Sequence, residues 1–308
     1  MKLLHFDDYR LGVLRGQEVV DVTDRVAPHI PHADRRELMP KLIARFEEFR
    51  ARLADTAGAR GVPLGGVALR APLPHPGNIA CMAVNYMEDG TRAAPAPLNG
   101  FHKAPSAVIG PNETMVLPDV PAIIFEGEAE IAIVIGARAD KIPAAQAMAH
   151  VFGYVNFIDG SARGLPPPGN VFFQMKSRAT FAPIGPWIVT ADEIADPQNL
   201  RVRLSVNGTV KQDFSTSDMA HPIARCIEWV SSIHPLEPGD ILATGTNHRG
   251  LSAFMDGDTV ELECEGLGKL TIKVRDPLKR TWSRETRLDR QNQGFDTPTP
   301  QTGGKYAP

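Results

Sequence analysis

Three glutamates occupy alternate positions of one apolar segment, residues 124–136. Side chains alternate between the two faces of a strand, so Glu126, Glu128 and Glu130 share one face, and apolar residues such as Phe125 and Ile131 share the other. Aligned like charges repel each other. Solvent at an edge strand relieves that repulsion, and so does a divalent cation such as Mg²⁺, which prefers carboxylate oxygens. The pattern therefore predicts a strand with either a solvated acidic face or a metal site.

Two further charged residues stand where site chemistry is common. Asp159 ends the apolar segment 150–158, a position typical of ligands but also of helix N-caps and turns. Lys176 follows Phe172 and Phe173, and a lysine buried in such apolar surroundings needs a partner for its charge. Both residues are therefore candidates for a functional site, and a structural role remains open for Asp159.

Composition limits the classes of function. The chain has 308 residues, of which 43% are hydrophobic and 22% charged, values typical of a globular protein. A net charge of −3 gives no electrostatic footprint for nucleic acid or an anionic membrane, so neither is an expected partner. The N-terminus lacks an apolar core of signal length, and no stretch approaches the about 20 apolar residues of a membrane span. We expect a cytoplasmic protein whose three cysteines are buried thiols.

The chain divides into three predicted regions. Residues 1–72 predict a small β-rich N-terminal domain with one helical segment, 34–54. Residues 73–275 predict a larger domain of short strands, in which 87–100 and 165–170 are loops beside the site, the former a candidate lid. Residues 276–308 are polar and rich in Pro, Gly and Thr, so we expect an extended or partly disordered tail.

An ordered set of short motifs runs through residues 78–275. Its members are 128–136, 153–154, 159–163, 176–177, 182–186, 207–208, 238–241 and 244–246, together with Gln212, Thr216 and Met219. Each motif alone is short, but the ordered set resembles the fumarylacetoacetate hydrolase (FAH) family. The resemblance implies a mainly β (α+β) fold with a rolled mixed-sheet catalytic domain, and a homodimer. Members of the family use Mg²⁺ or Mn²⁺ on 1,3-dicarbonyl or 2-oxo acid substrates.

The resemblance also implies roles for individual residues. Glu128, Glu130 and Asp159 would hold the metal and leave Glu126 as a spare carboxylate. A combined charge of about −3 favours a divalent cation in such a pocket. Lys176 would stabilise an enolate oxygen. Arg163 would orient either Asp159 or a substrate carboxylate. The residues expected to contact the substrate are Tyr86, His102, Thr180, Gln212 and Thr246.

The sequence departs from the family pattern at the residues that activate water. Family hydrolases carry a His shortly after an Asn-Tyr pair and a Glu three residues later, but here Asp89 and Arg92 take these positions. Two further family positions, an Asn and an Asp, are Ile158 and Gly164. Three replacements for the missing base are open: His248, His102, or a carboxylate at 88–89. We favour His248, because a neutral imidazole is suited to proton abstraction near pH 7.

These observations predict a divalent-metal-dependent hydrolase that cleaves a carbon–carbon bond in a small 1,3-dicarbonyl or 2-oxo acid. A metal-dependent isomerase, tautomerase or decarboxylase is the alternative, since such reactions need no activated water. A non-catalytic binding protein with a degenerate site is a third hypothesis. The retained Glu128, Glu130, Asp159 and Lys176 argue against it.

Overall fold

Strands form most of the regular structure of this computed structural model, which describes residues 1–56, 58–169 and 171–307. Ala57, Asn170 and Pro308, which belong to the predicted N-terminal domain, the 165–170 loop and the tail, lie outside the described residues. The strands are β1 (Lys2–Phe6), β2 (Arg10–Arg15), β3 (Glu18–Asp21), β4 (Gly61–Pro63), β5 (Leu69–Arg70), β6 (Ile79–Met82), β7 (Gly100–Lys103), β8 (Val108–Ile109), β9 (Thr114–Val116), β10 (Ile124–Ile135), β11 (Val151–Arg163), β12 (Ala182–Thr190), β13 (Arg201–Val206), β14 (Thr209–Ser215), β15 (Ile241–Ala243), β16 (Thr259–Cys264), β17 (Lys269–Arg275), β18 (Thr281–Trp282) and β19 (Gln301–Gly303).

The helices are short and lie between strands. They are α1 (Thr23–Val26), α2 (Leu38–Ile43), α3 (Phe46–Ala54), α4 (Ala144–Ala147), α5 (Phe172–Lys176), α6 (Ile223–Ile233) and α7 (Arg287–Asn292). Single 3₁₀ turns lie at Ala27–His29, Arg35–Glu37, Leu64–Gly66, Pro105–Ala107, Met148–His150, Ala191–Glu193 and Thr216–Asp218. The helical segment predicted over 34–54 is divided, because Arg45 leaves the helical region at φ −127° and ψ 24°.

A twelve-stranded sheet carries the acidic strand near its centre. Its main path runs β4-β3-β2-β1-β12-β11-β10-β15-β6-β7, with β5 beside β1 and β8 beside β12. β10 pairs antiparallel with both β11 and β15, and all twelve of its residues are buried. A Cβ at Gly127 would lie 2.3 Å from the ring of Phe254, so only glycine fits between Glu126 and Glu128. The solvated edge strand is therefore excluded as an explanation of the acidic face.

Parallel and antiparallel pairs occur in the same sheets. A five-stranded sheet runs β14-β13-β16-β17-β9, and β18 pairs with β19. The pairs β6–β15, β8–β12 and β9–β17 are parallel, while the remaining named pairs are antiparallel. The predicted mainly β (α+β) fold with mixed sheets is confirmed.

The N-terminal region continues the main sheet. β1 pairs antiparallel with β12, and Leu3 lies opposite Ile188 in the register. Both residues belong to one buried apolar cluster that also contains Phe49 and Val134. The predicted boundary at 72/73 therefore crosses a continuous sheet and a shared core.

The C-terminal segment 276–307 is folded against the rest of the chain. It contains β18, α7 and β19, and the Trp282 indole N–H donates to the carbonyl oxygen of Ile123 at 2.7 Å. The buried guanidinium of Arg280 donates to both carboxylate oxygens of Asp276 and to the carbonyls of Pro118 and Val120. This order differs from the extended or partly disordered tail predicted from composition, because two buried side chains, Arg280 and Trp282, anchor an otherwise polar segment.

The three cysteines are free and buried, as predicted. Among the described residues, no helix combines the length and the apolar character needed to cross a bilayer.

Candidate active site

Strands β10 and β11 bring three carboxylates together. Glu128 lies directly opposite Asp159 in the antiparallel register, and Glu130 follows on the same face of β10. The three side chains are buried, and each offers an oxygen within 4.8 Å of the others. The pairing of two separate strands therefore builds the trio of metal-ligand candidates that the sequence predicts.

Three basic side chains contact the same carboxylates. The Lys176 ammonium donates to Glu128 Oε1 at 2.7 Å and also to Asp159 Oδ2. Arg163 donates through Nη2 to Glu128. The Lys103 ammonium donates to Asp159 Oδ1 at 2.5 Å and to the carbonyls of Gly160 and Lys176. The acidic cluster is thus embedded in compensating positive charge.

Lys103 is a site residue that the sequence-based prediction misses, because that prediction assigns the neighbouring His102 to the substrate. Side chains alternate along β7, so Lys103 points into the cluster while His102 lies on the other face. His102 is exposed there, and its ring packs against His234 with centroids 4.9 Å apart. The charge argument that identifies Lys176, a lysine beside apolar residues, would also have identified Lys103.

The pKa values of the cluster diverge. Burial raises the pKa of a carboxyl group, and it acts on both glutamates. The Lys176 and Arg163 charges more than offset burial at Glu128, whose pKa lies well below its usual value. At Glu130, burial and the neighbouring Asp159 and Glu128 charges raise the pKa well above its usual value. Burial opposes the charged form of Lys176, but Asp159 and Glu128 still raise its pKa.

Glu130 supplies the test of whether a metal fits. Its Oε2 accepts a hydrogen bond from the Gly245 N–H at 2.8 Å, while its buried Oε1 has no partner among the described residues. A buried carboxylate oxygen without a donor is costly unless a cation or proton compensates it. Oxygen donors of this kind suit Mg²⁺ and Mn²⁺. The residues present therefore fit a divalent cation held by Glu128, Glu130 and Asp159.

Glu126 is not a spare carboxylate. It is fully buried, and it accepts from Arg163 Nε at 3.1 Å and from Arg287 of α7 at 2.5 Å and 3.1 Å. Arg163 therefore bridges Glu126 and Glu128, whereas the sequence predicts it beside Asp159 or a substrate carboxylate. Through Arg287, the acidic strand also holds the C-terminal segment in place.

His248 is paired with Glu88. The imidazole Nδ1 lies 2.6 Å from Glu88 Oε1, and the His248 backbone N–H donates to Glu88 Oε2 at 2.8 Å. Burial alone would raise the pKa of Glu88, but the hydrogen bonds and charge of His248 lower it. A Glu88 carboxylate can only accept, so this contact selects the tautomer of a neutral His248 that carries its proton on Nδ1, and in that tautomer Nε2 is the basic nitrogen. In its positively charged form, His248 also contributes to the lowered pKa of Glu128, after Lys176 and Arg163.

The other residues predicted to contact substrate have structural partners. Thr246 donates to the Ala129 carbonyl at 2.7 Å and accepts from Gln212, whose Oε1 accepts from the Ala129 N–H. These two side chains therefore fix the backbone between Glu128 and Glu130. Tyr86 is fully buried against Phe214, with ring centroids 5.0 Å apart. The Thr180 hydroxyl accepts from the Val116 N–H at 2.9 Å.

A cavity of about 490 Å³ opens beside His248. One wall comes from the loop after β6, with Glu88 and Arg92, and another from Arg249. The C-terminal segment supplies the remaining wall, including Arg287 and residues 295–298. The cavity is large enough for a small organic acid.

The site combines a carboxylate trio that fits a divalent cation with a buried lysine and a histidine–carboxylate pair at the edge of a cavity. This combination defines a metal-dependent enzyme of the hydrolase and isomerase class. Residues 78–275 match the family described as "Fumarylacetoacetate (FAA) hydrolase C-terminal". The chain belongs to the fumarylacetoacetate hydrolase family, as its ordered motifs predict.

Relatives from this family extend the match. Maleylpyruvate hydrolase of Aquipseudomonas alcaligenes is 33% identical over 303 residues, covering 89% of this chain and 99% of that protein. The mitochondrial oxaloacetate tautomerase FAHD2A of Bos taurus is 36% identical over 225 residues, covering 69% of this chain and 71% of that protein. The structure of maleylpyruvate hydrolase from Sphingobium sp. SYK-6 in complex with manganese(II) and pyruvate has a TM-score of 0.79 at 34% identity, and the match covers 90% of this chain and 99% of that one.

Proposed function

We propose that the protein hydrolyses a carbon–carbon bond of a 2,4-dioxo acid of the acylpyruvate type, with Mg²⁺ or Mn²⁺ as cofactor. The observation that carries this proposal is the pair formed by His248 and Glu88 at the edge of the cavity. Such a pair supplies a positioned base, which hydrolysis requires and which the usual family positions lack here. The near-complete coverage of a maleylpyruvate hydrolase supports the substrate class.

Glu128, Glu130 and Asp159 are the proposed metal ligands. A bound divalent cation would act as a Lewis acid toward the 2-oxo acid end of the substrate. Gln212 and Thr246 fix the backbone between the two glutamates through their bonds to Ala129, so both are positioning residues in this proposal. The manganese(II) complex of the Sphingobium relative supports a divalent metal.

His248 is the proposed general base. Glu88 holds the proton on Nδ1, so Nε2 removes a proton from water while the water oxygen bonds to the distal ketone carbon. The bond between that carbon and the adjacent methylene then breaks, and its electron pair forms the enolate of pyruvate. The Lys176 ammonium stabilises the developing enolate charge. The proton on His248 returns to the methylene carbon, which gives pyruvate and a carboxylic acid.

Two variants test the base. His248→Asn and Glu88→Gln should lower kcat on an acylpyruvate by about 10²- to 10⁴-fold, while the affinity for Mn²⁺ remains close to that of the parent. His102→Asn is the matched control, since its ring lies on the opposite face of β7 and its loss should leave kcat nearly unchanged. Equal losses in the His248 and His102 variants would refute the assignment.

Oxaloacetate tautomerisation is the second candidate, favoured by the match to the bovine tautomerase. It needs the same base and cation but no addition of water. Turnover in isotopically labelled water distinguishes the two reactions, because hydrolysis places the labelled oxygen in the released carboxylic acid. Rapid hydrogen exchange at the methylene of oxaloacetate, without bond cleavage in any acylpyruvate, would favour the tautomerase.

Four statements remain predictions: the choice between Mg²⁺ and Mn²⁺, the homodimer, the cytoplasmic location, and the three-region division at 72/73 and 275/276. Metal-dependent kcat, light scattering coupled to size exclusion, and cell fractionation test the first three. Limited proteolysis tests the division of the chain.

A further inference from the structure

The segment between β6 and β7 presents Glu88 from an unfavourable backbone conformation. Glu88 and the following Asp89 have φ angles of 57° and 54°, in the left-handed region. This conformation is strained for residues other than glycine, and it persists only where the surrounding structure holds it. Contacts that fix the backbone on either side of Glu88 therefore decide where its carboxylate points.

Asp218 holds the backbone on both sides of Glu88. Its carbonyl oxygen accepts from the Met87 N–H at 2.9 Å, and its carboxylate Oδ2 accepts from the Asp89 N–H at 3.0 Å. The two residues that flank Glu88 are thus both bonded to one residue of a different element.

The same carboxylate oxygen also contacts the segment that carries His248. Asp218 Oδ2 accepts from the side-chain amide of the buried Asn247 at 3.2 Å. Asn247 Oδ1 accepts in turn from the Arg249 N–H at 3.1 Å, so the Asn247 side chain bonds across His248. Asp218 therefore joins the two segments whose side chains meet in the contact between His248 and Glu88.

Asp218 is itself firmly supported. It ends the 3₁₀ turn that begins at Thr216, whose side chain is fully buried. The Thr216 hydroxyl donates to the Pro197 carbonyl at 2.9 Å and accepts from the Leu200 N–H at 2.8 Å. The Thr216 N–H donates to the Leu200 carbonyl at 2.9 Å. The turn is therefore fixed to the residues that lead into β13.

A second contact between the two segments is weaker. Arg249 Nη1 lies 3.0 Å from Asp89 Oδ2, but the Asp89 side chain is 51% exposed. Ion pairs exposed to this extent contribute little, because solvent screens them and their side chains lose entropy. This pair also leaves the backbone on either side of Glu88 unbonded, so it does not replace Asp218.

We propose that Asp218 is a positioning residue that sets the geometry of the pair formed by His248 and Glu88. The inference rests on the proposed function only in taking His248 as the base. Asp218 acts as a shared hydrogen-bond acceptor, so its role depends on the position of Oδ2 and not on its negative charge. The amide oxygen of an asparagine accepts in the same way and should therefore replace it.

Two substitutions separate the acceptor from the charge. Asp218→Ala removes the acceptor and should lower kcat on an acylpyruvate by about 10- to 100-fold, as expected for a displaced catalytic group, while the affinity for Mg²⁺ remains close to that of the parent. Asp218→Asn keeps an acceptor oxygen and should retain most of kcat. Asp140→Ala is the matched control, since it removes an exposed carboxylate paired with Arg138 and should leave kcat nearly unchanged.

A double-mutant cycle tests whether Asp218 acts through His248. In a His248→Asn background the base is absent, so adding Asp218→Ala should lower the residual kcat by less than about twofold. An equal loss in both backgrounds would mean that Asp218 acts elsewhere and would overturn the inference.

Nuclear magnetic resonance tests the geometry without turnover. In the Mg²⁺-loaded full-length protein with ¹⁵N-labelled histidine, at about pH 9, where imidazoles are neutral, nitrogen shifts distinguish the Nδ1–H tautomer from the Nε2–H tautomer. His248 is assigned by the loss of its signals in His248→Asn. It should be in the Nδ1–H form in the parent and in Asp218→Asn, whereas Asp218→Ala should populate both tautomers.

The inference is wrong if Asp218→Ala retains either the single tautomer or the kcat of the parent. It is also wrong if Asp218→Asn loses as much of kcat as Asp218→Ala, because the charge would then be what matters. Unfolding temperatures are measured for all variants. If Asp218→Ala does not fold, Asn247→Ala separates the same oxygen from the His248 segment alone and takes its place in both measurements.

Failure of the proposed hydrolysis is a separate result. Labelled water oxygen absent from the products, together with mixed tautomers in Asp218→Ala, would reject the hydrolase and keep the positioning role. Labelled oxygen in the products of the parent, with a single tautomer in Asp218→Ala, would do the reverse.

Discussion

At the scale of single residues, the acidic cluster is balanced by specific cations. Asp159 is paired with Lys103 and Lys176, and Glu128 with Lys176 and Arg163. Glu130 has no such ion pair among the described residues. The argument that a combined carboxylate charge of about −3 favours a divalent cation is therefore incomplete, because neighbouring lysines and arginine already neutralise most of that charge. Glu130 is the proposed ligand whose environment would gain most from a metal.

Lys103 provides the first prediction at this scale. Its side chain is fully buried and bonds to Asp159 and two carbonyl oxygens. Lys103→Met leaves Asp159 with a buried charge that only Lys176 offsets, so the free energy of unfolding of the metal-free protein should fall by about 3–5 kcal/mol. Denaturant unfolding measures the change. Lys41→Met, which breaks the half-exposed pair with Glu37, should cost less than about 1 kcal/mol. Similar losses in both variants would contradict the role of Lys103.

His5 gives a prediction about pH. It is fully buried, its Nδ1 donates to the Tyr9 carbonyl, and its Nε2 has no partner among the described residues. Burial lowers its pKa from 6.5 to about 4, against the raising effect of the Tyr9 hydrogen bond. The unfolded chain therefore binds this proton at a higher pH than the folded protein. Stability should fall as the pH drops from 6.5 toward 4, by about 3 kcal/mol in total.

The His5 contribution is isolated with a variant that cannot titrate. Unfolding free energies of the parent and His5→Gln are compared between pH 7 and pH 4.5, and the difference between them should shift in favour of the variant at low pH. His29→Gln replaces an exposed histidine and serves as the control. A pH-independent difference between the parent and His5→Gln would rule out the mechanism.

Residue patterns predict the carboxylate trio of the candidate site better than they predict the pair of His248 and Glu88. Alternation along β10 places Glu126, Glu128 and Glu130 on one face, the family resemblance selects Glu128, Glu130 and Asp159, and pairing of β10 with β11 brings these three together. The pairing of His248 with Glu88 joins residues 160 positions apart. No local period encodes such a contact, so sequence reasoning favours His248 but leaves its partner open.

At the scale of elements, the C-terminal segment differs most from its sequence-based prediction. Polar composition predicts an extended or disordered tail. One tryptophan and one arginine reverse that outcome, since Trp282 packs edge-on against Phe125 of β10 with ring centroids 6.1 Å apart. Composition averaged over a segment cannot reveal two anchoring side chains whose partners lie about 160 residues earlier in the chain.

Trp282→Ala tests this anchor. Loss of a buried indole and of its hydrogen bond to Ile123 should cost about 3–5 kcal/mol of local or global stability. We expect trypsin to cleave the variant faster than the parent at the basic residues of 276–307. Mass spectrometry of the fragments measures the cleavage. Tyr306→Ala, which removes a partly exposed ring from the same segment, should leave the cleavage rate nearly unchanged. Equal cleavage of the parent and the Trp282 variant would mean that this side chain does not hold the segment.

At the scale of the whole molecule, one sheet connects the N-terminal region with the site. The main sheet runs from β4 through β1 and β12 to the paired strands β11 and β10. Composition and turn signals identify the N-terminal strands but not their partner, because the pairing of β1 with β12 joins residues far apart in sequence. A continuous sheet with a shared core predicts that both regions unfold together.

Calorimetry of the full-length protein tests this cooperativity through the metal site. Mn²⁺ at about 100 times its Kd should stabilise the folded state by about 2.7 kcal/mol and move a single unfolding transition upward. Leu3→Ala, on β1 in the shared core, should lower the free energy of unfolding by about 2–5 kcal/mol and so move the same transition downward. Val62→Ala, at the exposed edge strand β4, should have little effect. Two transitions, of which Mn²⁺ shifts one and Leu3→Ala the other, would show that the N-terminal region folds independently of the site.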